Sequence, residues 1–220
     1  NGIGTMIEIG AGDNSDLARG GEADIDIIIR GKSKVEASGG YGAAVIGGGY
    51  EGGAKAVYIE LEDTKYESKG WKYYVKAYGG EGAAGIGSGG VYESDRNLIT
   101  QVGQDLGKIS ITGGYVYAKG GKDYGLGAGA GIGGGARGGR LTGFYVTGGF
   151  VDANAGTSTN GKHAIADIGS GGNDVQPYRK DCNFEITGGT VLGTLSSEPS
   201  TIKISGGSVR ARVNNAIDAD

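Results

Sequence analysis

Apolar and variable residues alternate in four related segments of the chain. They share the phrase Ile-x-Ile-Thr-Gly-Gly-x-Val-x-Ala, with similar residues replacing one another, at positions 109–118, 144–153, 184–193 and 202–211. An alternation of period two is typical of a strand with one buried face. It predicts that Ile109 and Ile111 point inward and that Val116 and Ala118 do the same beyond the glycine pair.

The glycine pair at the centre of the phrase predicts a corner between two short strands, because glycine bends a strand without a side-chain clash. A second phrase, rich in glycine around one isoleucine, alternates with the first. Its copies begin at Ala43, Ala83, Gly129 and Ile165. We interpret the two phrases as two kinds of coil that alternate along one rod.

The spacing of inward positions indicates the coil length. Ile9 and Ile27 are 18 positions apart, as are Ile186 and Ile204. Ile111 and Val146 are 35 apart, which we interpret as nearly two such coils with a glycine-isoleucine phrase midway. We predict an all-β fold, a single-stranded parallel β-helix (β-solenoid) of roughly 11–12 coils of about 18 residues each. Parallel crossovers are generally right-handed, which predicts the same hand here. The repeat runs from end to end and predicts one domain over 1–220.

Two intervals break the period, at 91–107 and at 152–183, and are predicted to be loops that leave the coil. Loops of this kind often carry binding residues. The candidates in the second loop are Asp174, Tyr178, Arg179 and Asp181. A polysaccharide lyase or hydrolase would need an acidic pair, or a base with metal-binding carboxylates, in one groove. The residues available for it are Asp95, Arg96, Asp105, Asp174, Arg179, Lys180 and Asp181.

Composition excludes some classes of partner but does not identify a function. Glycine makes up 51 of 220 residues, and the formal net charge is −4 with no basic stripe, so we expect no nucleic-acid partner. No apolar run is long enough to span a membrane. The single cysteine, Cys182, cannot form an internal disulfide. The chain starts at Asn1 with the repeat soon under way, which we interpret as a mature product or an excised piece of something larger.

Motifs for catalysis or cofactors are weak. The glycine run from Gly127 to Gly135 lacks the helix that a nucleotide loop requires, and His163 has no partner at a catalytic or zinc-binding spacing. We predict no catalytic residue, no metal and no cofactor. Calcium is the alternative for the carboxylates in turns such as that from Gly12 to Asp16, although the nonapeptide of calcium-binding β-rolls is absent.

Four hydroxyl residues share one position in the phrase: Thr112, Thr147, Thr187 and Ser205. Their alignment predicts a hydrogen-bonded ladder at the corner. An ice-binding surface is the alternative interpretation, but it would require a denser and flatter array.

Tyrosine is the most informative outward residue, with 13 copies against three phenylalanines. Strand phase predicts that Tyr58, Tyr74 and Tyr145 project outward before the corner. It predicts the same for Tyr115 and Tyr117, and for Phe150, after the corner. Rows of exposed rings could stack on sugars or on another protein. Equally, the rings could only pack against one another across the strands.

The phrases at 111–118 and 130–135 resemble the glycine-rich repeats of large secreted or surface-attached bacterial proteins, often from anaerobes. Those proteins are described as adhesin-like or carbohydrate-binding. The resemblance covers essentially the whole chain, implies an extracellular or cell-surface location and transfers no site residue.

The leading hypothesis is a non-catalytic structural or adhesive β-solenoid, such as a stalk, fibre or adhesin module, that presents aromatic faces and loops to a glycan or a surface protein. Both ends lack an evident cap, so end-to-end self-association is expected as a further property. The alternatives are the lyase or hydrolase, a trimeric phage or viral receptor-binding spike, and the ice-binding protein.

Overall fold

Strands dominate the described part of this computed structural model. It describes residues 22–49, 52–63, 65–66, 70–91, 105–123, 127–137, 139, 141–158, 164, 166–172, 183–196 and 201–211, with the side chains of 22–25 and 65–66 left aside. No helix occurs within these ranges. The fold is all-β, as predicted.

Three parallel sheets account for most of the strands. The first sheet contains, in spatial order, β1 (Glu22–Gly31), β4 (Gly53–Leu61), β9 (Leu106–Gly113), β12 (Leu141–Val146), β15 (Asn183–Ile186) and β17 (Thr201–Ile204). The second contains β2 (Lys34–Ser38), β7 (Tyr74–Tyr78), β10 (Tyr115–Lys119), β13 (Phe150–Asn154), β16 (Thr190–Leu192) and β18 (Ser208–Arg210). The third contains β3 (Ile46–Gly47), β8 (Ile86–Gly87), β11 (Ile132–Gly133) and β14 (Ile168–Gly169).

The chain runs through these sheets in a fixed order of first, second and third, and we call one such passage a circuit. The circuit of β9, β10 and β11 contains both phrases, because the Ile-Thr-Gly-Gly phrase forms β9, the corner and β10, and the glycine-isoleucine phrase forms β11. The interpretation of two alternating kinds of coil is therefore wrong. The two phrases are successive sides of one circuit.

Equivalent residues of neighbouring circuits are unevenly spaced along the chain. The register pairs Ile27 with Val57, Val57 with Ile109, Ile109 with Phe144, Phe144 with Phe184 and Phe184 with Ile202, which are separated by 30, 52, 35, 40 and 18 positions. A repeat of about 18 residues describes only the last step, where the third side shrinks to a bridge between Ile168 and Leu195. The first sheet has six strands, so the eleven or twelve coils predicted are too many for the described residues.

Inward residues stack in columns that run across the strands. Ile109 and Ile111 in the first sheet, Val116 and Ala118 in the second, and Ile132 in the third are all 0% exposed. The inward positions predicted from the alternation are thus confirmed. Each buried column excludes water only because the next circuit covers it, so apolar burial links the circuits to one another.

The two glycines of each corner meet different requirements. A Cβ on Gly148 would overlap with the carbonyl oxygen of Thr112 in the preceding circuit, so the first glycine allows close stacking. Gly149 has φ +80°, in the left-handed region that glycine adopts without strain. Asp63 accepts a hydrogen bond of 2.6 Å from the backbone N–H of Gly114 and so adds a side-chain partner to this column of corners.

The predicted loop excursions are only partly loops. In the interval 152–183, Asp152 to Asn154 end β13, Ile168–Gly169 is β14, and Asn183 begins β15. The interval 91–107 lies mostly outside the described residues, and its last two residues already belong to β9. An unpredicted antiparallel hairpin, β5 (Lys65–Tyr66) with β6 (Gly70–Trp71), interrupts the second circuit between β4 and β7.

Candidate functional site

Two predicted tyrosines share a row on the outside of the first sheet. Tyr58 in β4 pairs with Ser110 in β9, and Ser110 pairs with Tyr145 in β12. Both tyrosines are half-buried, and strand spacing places their Cα atoms about 10 Å apart. The small Ser110 side chain separates the two tyrosines in that row.

Lys108 lies between the two rings. Its Nζ is 5.6 Å from the centroid of Tyr58 and 4.9 Å from that of Tyr145, within the range of cation–π attraction. Lys108 pairs in register with Ala56 on one side and Gly143 on the other. A Cβ on Gly143 would meet Cε2 of Tyr145 at 2.6 Å, which shows that the tyrosine ring lies over the glycine and beside the lysine.

A second aromatic row crosses the second sheet. Tyr74, Tyr115 and Phe150 are paired in register on β7, β10 and β13. The ring centroids of Tyr115 and Phe150 are 5.9 Å apart, and Trp71 of the inserted hairpin lies 6.5 Å from Phe150. Rings at these distances attract one another, so Trp71, Phe150 and Tyr115 form a packed aromatic cluster within a half-buried row.

The hydroxyl of Tyr115 has a charged partner. It donates a hydrogen bond to the carboxylate of Asp152, and Asp152 Oδ1 also accepts one of 3.0 Å from Asn154 Nδ2. Burial, and then the negative charge of Asp152, raise the pKa of Tyr115 from its ordinary 10.0 to about 12. This phenol therefore keeps its proton to a higher pH than an ordinary tyrosine does, with Asp152 as its acceptor.

Further ring and charge contacts lie beside this aromatic row on the second sheet. The rings of Tyr117 and Tyr78 have centroids 5.5 Å apart. Lys76 stands 4.8 Å from the Tyr74 ring and forms an ion pair with Glu36, with Nζ to Oε2 at 3.4 Å. The second-sheet surface combines ring faces, a phenol donor and paired charges, so it offers both stacking and hydrogen-bonding groups to a ligand.

The structure thus separates the predicted tyrosines into two groups. Tyr58 and Tyr145 lie before the corner, as predicted, but Tyr74 begins a second-sheet strand and belongs with Tyr115 and Tyr117. The loop candidates Asp174, Tyr178, Arg179 and Asp181 lie outside the described residues, as do Asp95, Arg96 and Lys180. Asp105 is half-buried just before β9.

Sequence reasoning missed Lys108 and Trp71. Lys108 stands directly before Ile109 in the outward phase, so its exposure could be inferred, but its place between two tyrosines depends on the register of three strands. Trp71 belongs to a hairpin that interrupts the repeat, and the period carries no information about such an insertion.

The hydroxyl residues predicted to form a ladder are aligned across the circuits. Backbone N–H groups make the hydrogen bonds that join them to the preceding circuit. The N–H groups of Thr147, Thr187 and Ser205 donate to carbonyls of the preceding circuit at 3.0, 2.9 and 3.0 Å. All three residues and Thr112 are exposed. The four hydroxyl residues therefore form one exposed edge, with one of them in each of the circuits that begin with β9, β12, β15 and β17.

One buried carboxylate belongs to the packing and not to a binding surface. Asp167 is 3% exposed. It accepts hydrogen bonds from the backbone N–H of Ala155 at 2.7 Å, from that of Thr194 at 2.8 Å and from the Thr194 hydroxyl at 2.9 Å. The carboxylate joins two successive circuits, and these three donors satisfy it.

Neither a metal cluster nor a membrane helix is found in the part of the chain that the structure describes. No three His, Cys, Asp or Glu side chains in those ranges converge to hold an ion. Those ranges also contain no helix with the length and apolar character needed to cross a membrane. Comparisons of the chain with protein-family models, with curated proteins and with solved structures found no match. The functional argument therefore depends on the two outward surfaces.

Proposed function

We propose that the circuits form a three-sided, right-handed parallel β-solenoid that acts as a non-catalytic adhesive or structural module outside the cell, such as a fibre, stalk or adhesin segment. Its aromatic surfaces bind a glycan, with a protein surface as the alternative partner. The observation that carries this proposal is the in-register row of Tyr74, Tyr115 and Phe150, extended by Trp71.

Rigidity supports a binding role for that row. The inward residues beside it, Val75, Val116 and Val151, are 0% exposed and fix the strands from below. Aromatic side chains have few rotatable bonds, so a ligand that stacks on a fixed row orders little on binding. Three strands spaced by about 4.8 Å place the rings at intervals comparable with the successive units of an extended sugar chain.

Glycan retention by a double variant tests this proposal. Tyr74→Ala with Phe150→Ala removes two rings of the row, whereas Thr190→Ala changes the next residue of the same row without removing a ring. Retention of the chain on immobilised polysaccharides should fall roughly tenfold or more in the double variant and stay unchanged in the control. Unfolding curves check that both variants fold.

Unchanged retention by the folded double variant would contradict the aromatic-row proposal. If none of a panel of neutral and acidic polysaccharides retains the wild-type chain, the glycan-binding proposal is wrong, and a protein surface becomes the favoured partner. The rival lyase or hydrolase predicts shortened polysaccharide chains after incubation, and we expect none.

End-to-end association is a second candidate role, favoured by the last described circuit. Ile202 and Ile204 of β17 occupy the inward columns but are 45% and 51% exposed, whereas Phe184 and Ile186 before them are 1% and 0% exposed. Within the described residues, the outer edge of β17 has no strand beside it. A second copy that adds a strand there would bury both isoleucines.

Sedimentation tests this association. The wild-type chain should form assemblies that grow with concentration, and Ile202→Lys with Ile204→Lys should prevent them because two ammonium groups would be buried. Thr201→Lys, on the outward face of the same strand, is the matched control and should still assemble. A concentration-independent monomer contradicts association, and a closed trimer would favour the spike interpretation.

A further inference from the structure

Lys108 differs from two other cations on the outside of the first sheet, which are paired with carboxylates. Arg30 pairs with Glu60 at 3.2 Å, and Lys203 pairs with Glu185 at 2.7 Å. No carboxylate in the described ranges pairs with Lys108, whose contacts are the rings of Tyr58 and Tyr145. Lys108 is therefore a cation of this sheet that contacts aromatic rings and not a carboxylate.

Aromatic and aliphatic side chains lie next to Lys108 on the neighbouring strands. Tyr58 and Tyr145 flank the ammonium group, and Ile28, 49% exposed, pairs with Tyr58 on the adjoining strand. Ala56, in the same row as Lys108, is 4% exposed, so neighbouring side chains cover it. The lysine is exposed and held between two ring faces, where its three N–H donors can meet a ligand from the solvent side.

We propose that Tyr58, Lys108 and Tyr145 bind a carboxylated sugar unit, a hexuronate within an acidic polysaccharide. The Lys108 ammonium donates to the carboxylate and forms an ion pair with it. The tyrosine rings stack on the apolar C–H faces of the sugar and of its neighbour in the polysaccharide. This inference rests on the proposed glycan-binding function and names the ligand class of the first-sheet surface.

Charge complementarity favours this ligand over denser polyanions. The chain has a net charge of −4, and two other cations of this sheet, Arg30 and Lys203, are already paired with carboxylates, so the Lys108 ammonium offers one positive charge to one anion. Asp26, exposed in β1, lies in the row of Lys108 two strands away, and its negative charge disfavours a ligand that carries several anions there. A nucleic acid, with a phosphate on every unit, requires several adjacent cations. A sugar with a single carboxylate matches one cation between two apolar walls.

Polygalacturonate and its methyl ester separate charge recognition from ring stacking, because the esterified polymer has the same sugar without the carboxylate charge. We expect the wild-type chain to bind polygalacturonate roughly tenfold more tightly than the ester, with the difference shrinking as salt rises. Lys108→Gln should abolish the preference, since it removes the charge and keeps similar length. Tyr58→Ala with Tyr145→Ala should weaken binding of both polymers.

Lys203→Gln is the matched control, because Lys203 is an exposed lysine of the same sheet with a carboxylate partner, and it should leave the preference intact. A folded Lys108→Gln variant that still prefers polygalacturonate overturns the inference. A wild-type chain that binds the two polymers equally also overturns the inference. In that case, loss of binding by the Tyr74→Ala, Phe150→Ala double variant would still support the glycan-binding function. Retention of neither polymer overturns this inference, and retention of no glycan at all overturns the function as well.

Discussion

The third sheet and the first sheet use the same parallel pairing but are packed by different means. In the first sheet, large side chains such as Phe144 and Phe184 fill the interior, with ring centroids 5.6 Å apart. In the third, one isoleucine per circuit, such as Ile132, is followed by a glycine whose backbone lies directly against the next circuit. At these third-sheet positions glycine therefore marks places where backbones touch.

The largest effect is expected from a methyl group in the third sheet. Gly133 has φ +129°, and a Cβ there would overlap with the carbonyl oxygen of Gly169 in the neighbouring strand. Gly133→Ala should cost more than about 4 kcal/mol and abolish a cooperative unfolding transition in circular dichroism. A variant that unfolds near the wild-type midpoint would mean that the circuits can separate there without loss, contrary to backbone packing.

A large but smaller effect is expected in the first sheet. Phe144 is 0% exposed and packs edge-on against Phe184 at an interplanar angle of 68°. Phe144→Ala should lower the free energy of unfolding by about 3–5 kcal/mol in denaturant titration, because it leaves a cavity. Phe144→Leu fills most of the space and serves as the control. A loss below about 1 kcal/mol for the alanine variant would argue against side-chain packing as the main support of this sheet.

The same contrast explains what the sequence could predict of the fold. Strands of four or more residues show alternation, so the inward columns at Ile109 and Val116 were predictable. The third-sheet strands have two residues each and show none, so the glycine-isoleucine phrase was interpreted as a separate coil. The spacing of 35 residues from Ile111 to Val146 therefore suggests nearly two coils, but in the structure it corresponds to one circuit with three sides.

The candidate surfaces were predictable only in part for a related reason. Strand phase identifies Tyr58, Tyr145 and Tyr115 as outward residues from each strand alone. Which outward residues are neighbours depends on register across circuits of unequal length, and the position of Lys108 between two rings follows only from it. The period of a strand shows on which face of the sheet a residue lies. It does not show which residues are neighbours across strands when the inserted segments differ in length.

A moderate effect is expected where a glycine is needed for its backbone angle alone. Gly31 has φ +72°, and nothing lies within 4 Å of the position of its Cβ. Gly31→Ala should therefore cost about 1–2 kcal/mol, the penalty of the left-handed conformation. Gly114→Ala, at φ +75° with Leu61 Cδ1 2.8 Å away, should cost more in the same denaturant titration. Equal costs would show that close approach contributes nothing at the corners.

The smallest effect on stability at neutral pH is expected on the outside of the second sheet, where side chains can change without moving the backbone. Asp152→Asn keeps the acceptor for Asn154 and removes the negative charge beside Tyr115. The pKa of Tyr115 should fall from about 12 toward 10.0 without reaching it, because burial, the largest cause, is unchanged. Tyrosinate absorbance, taken as the difference from a Tyr115→Phe variant in each background, measures it.

The sign of the linked stability change follows from the raised pKa. The unfolded chain loses the Tyr115 proton near pH 10, and the folded chain holds it to about 12, so stability is intact below pH 10 and decreases as the pH rises between the two values. Asp152→Asn should make that decrease shallower and leave the unfolding midpoint at neutral pH nearly unchanged. A large drop at neutral pH would instead mean that the outer surface supports the circuits as the third-sheet glycines do, and the contrast between the sheets would then fail at its outermost layer.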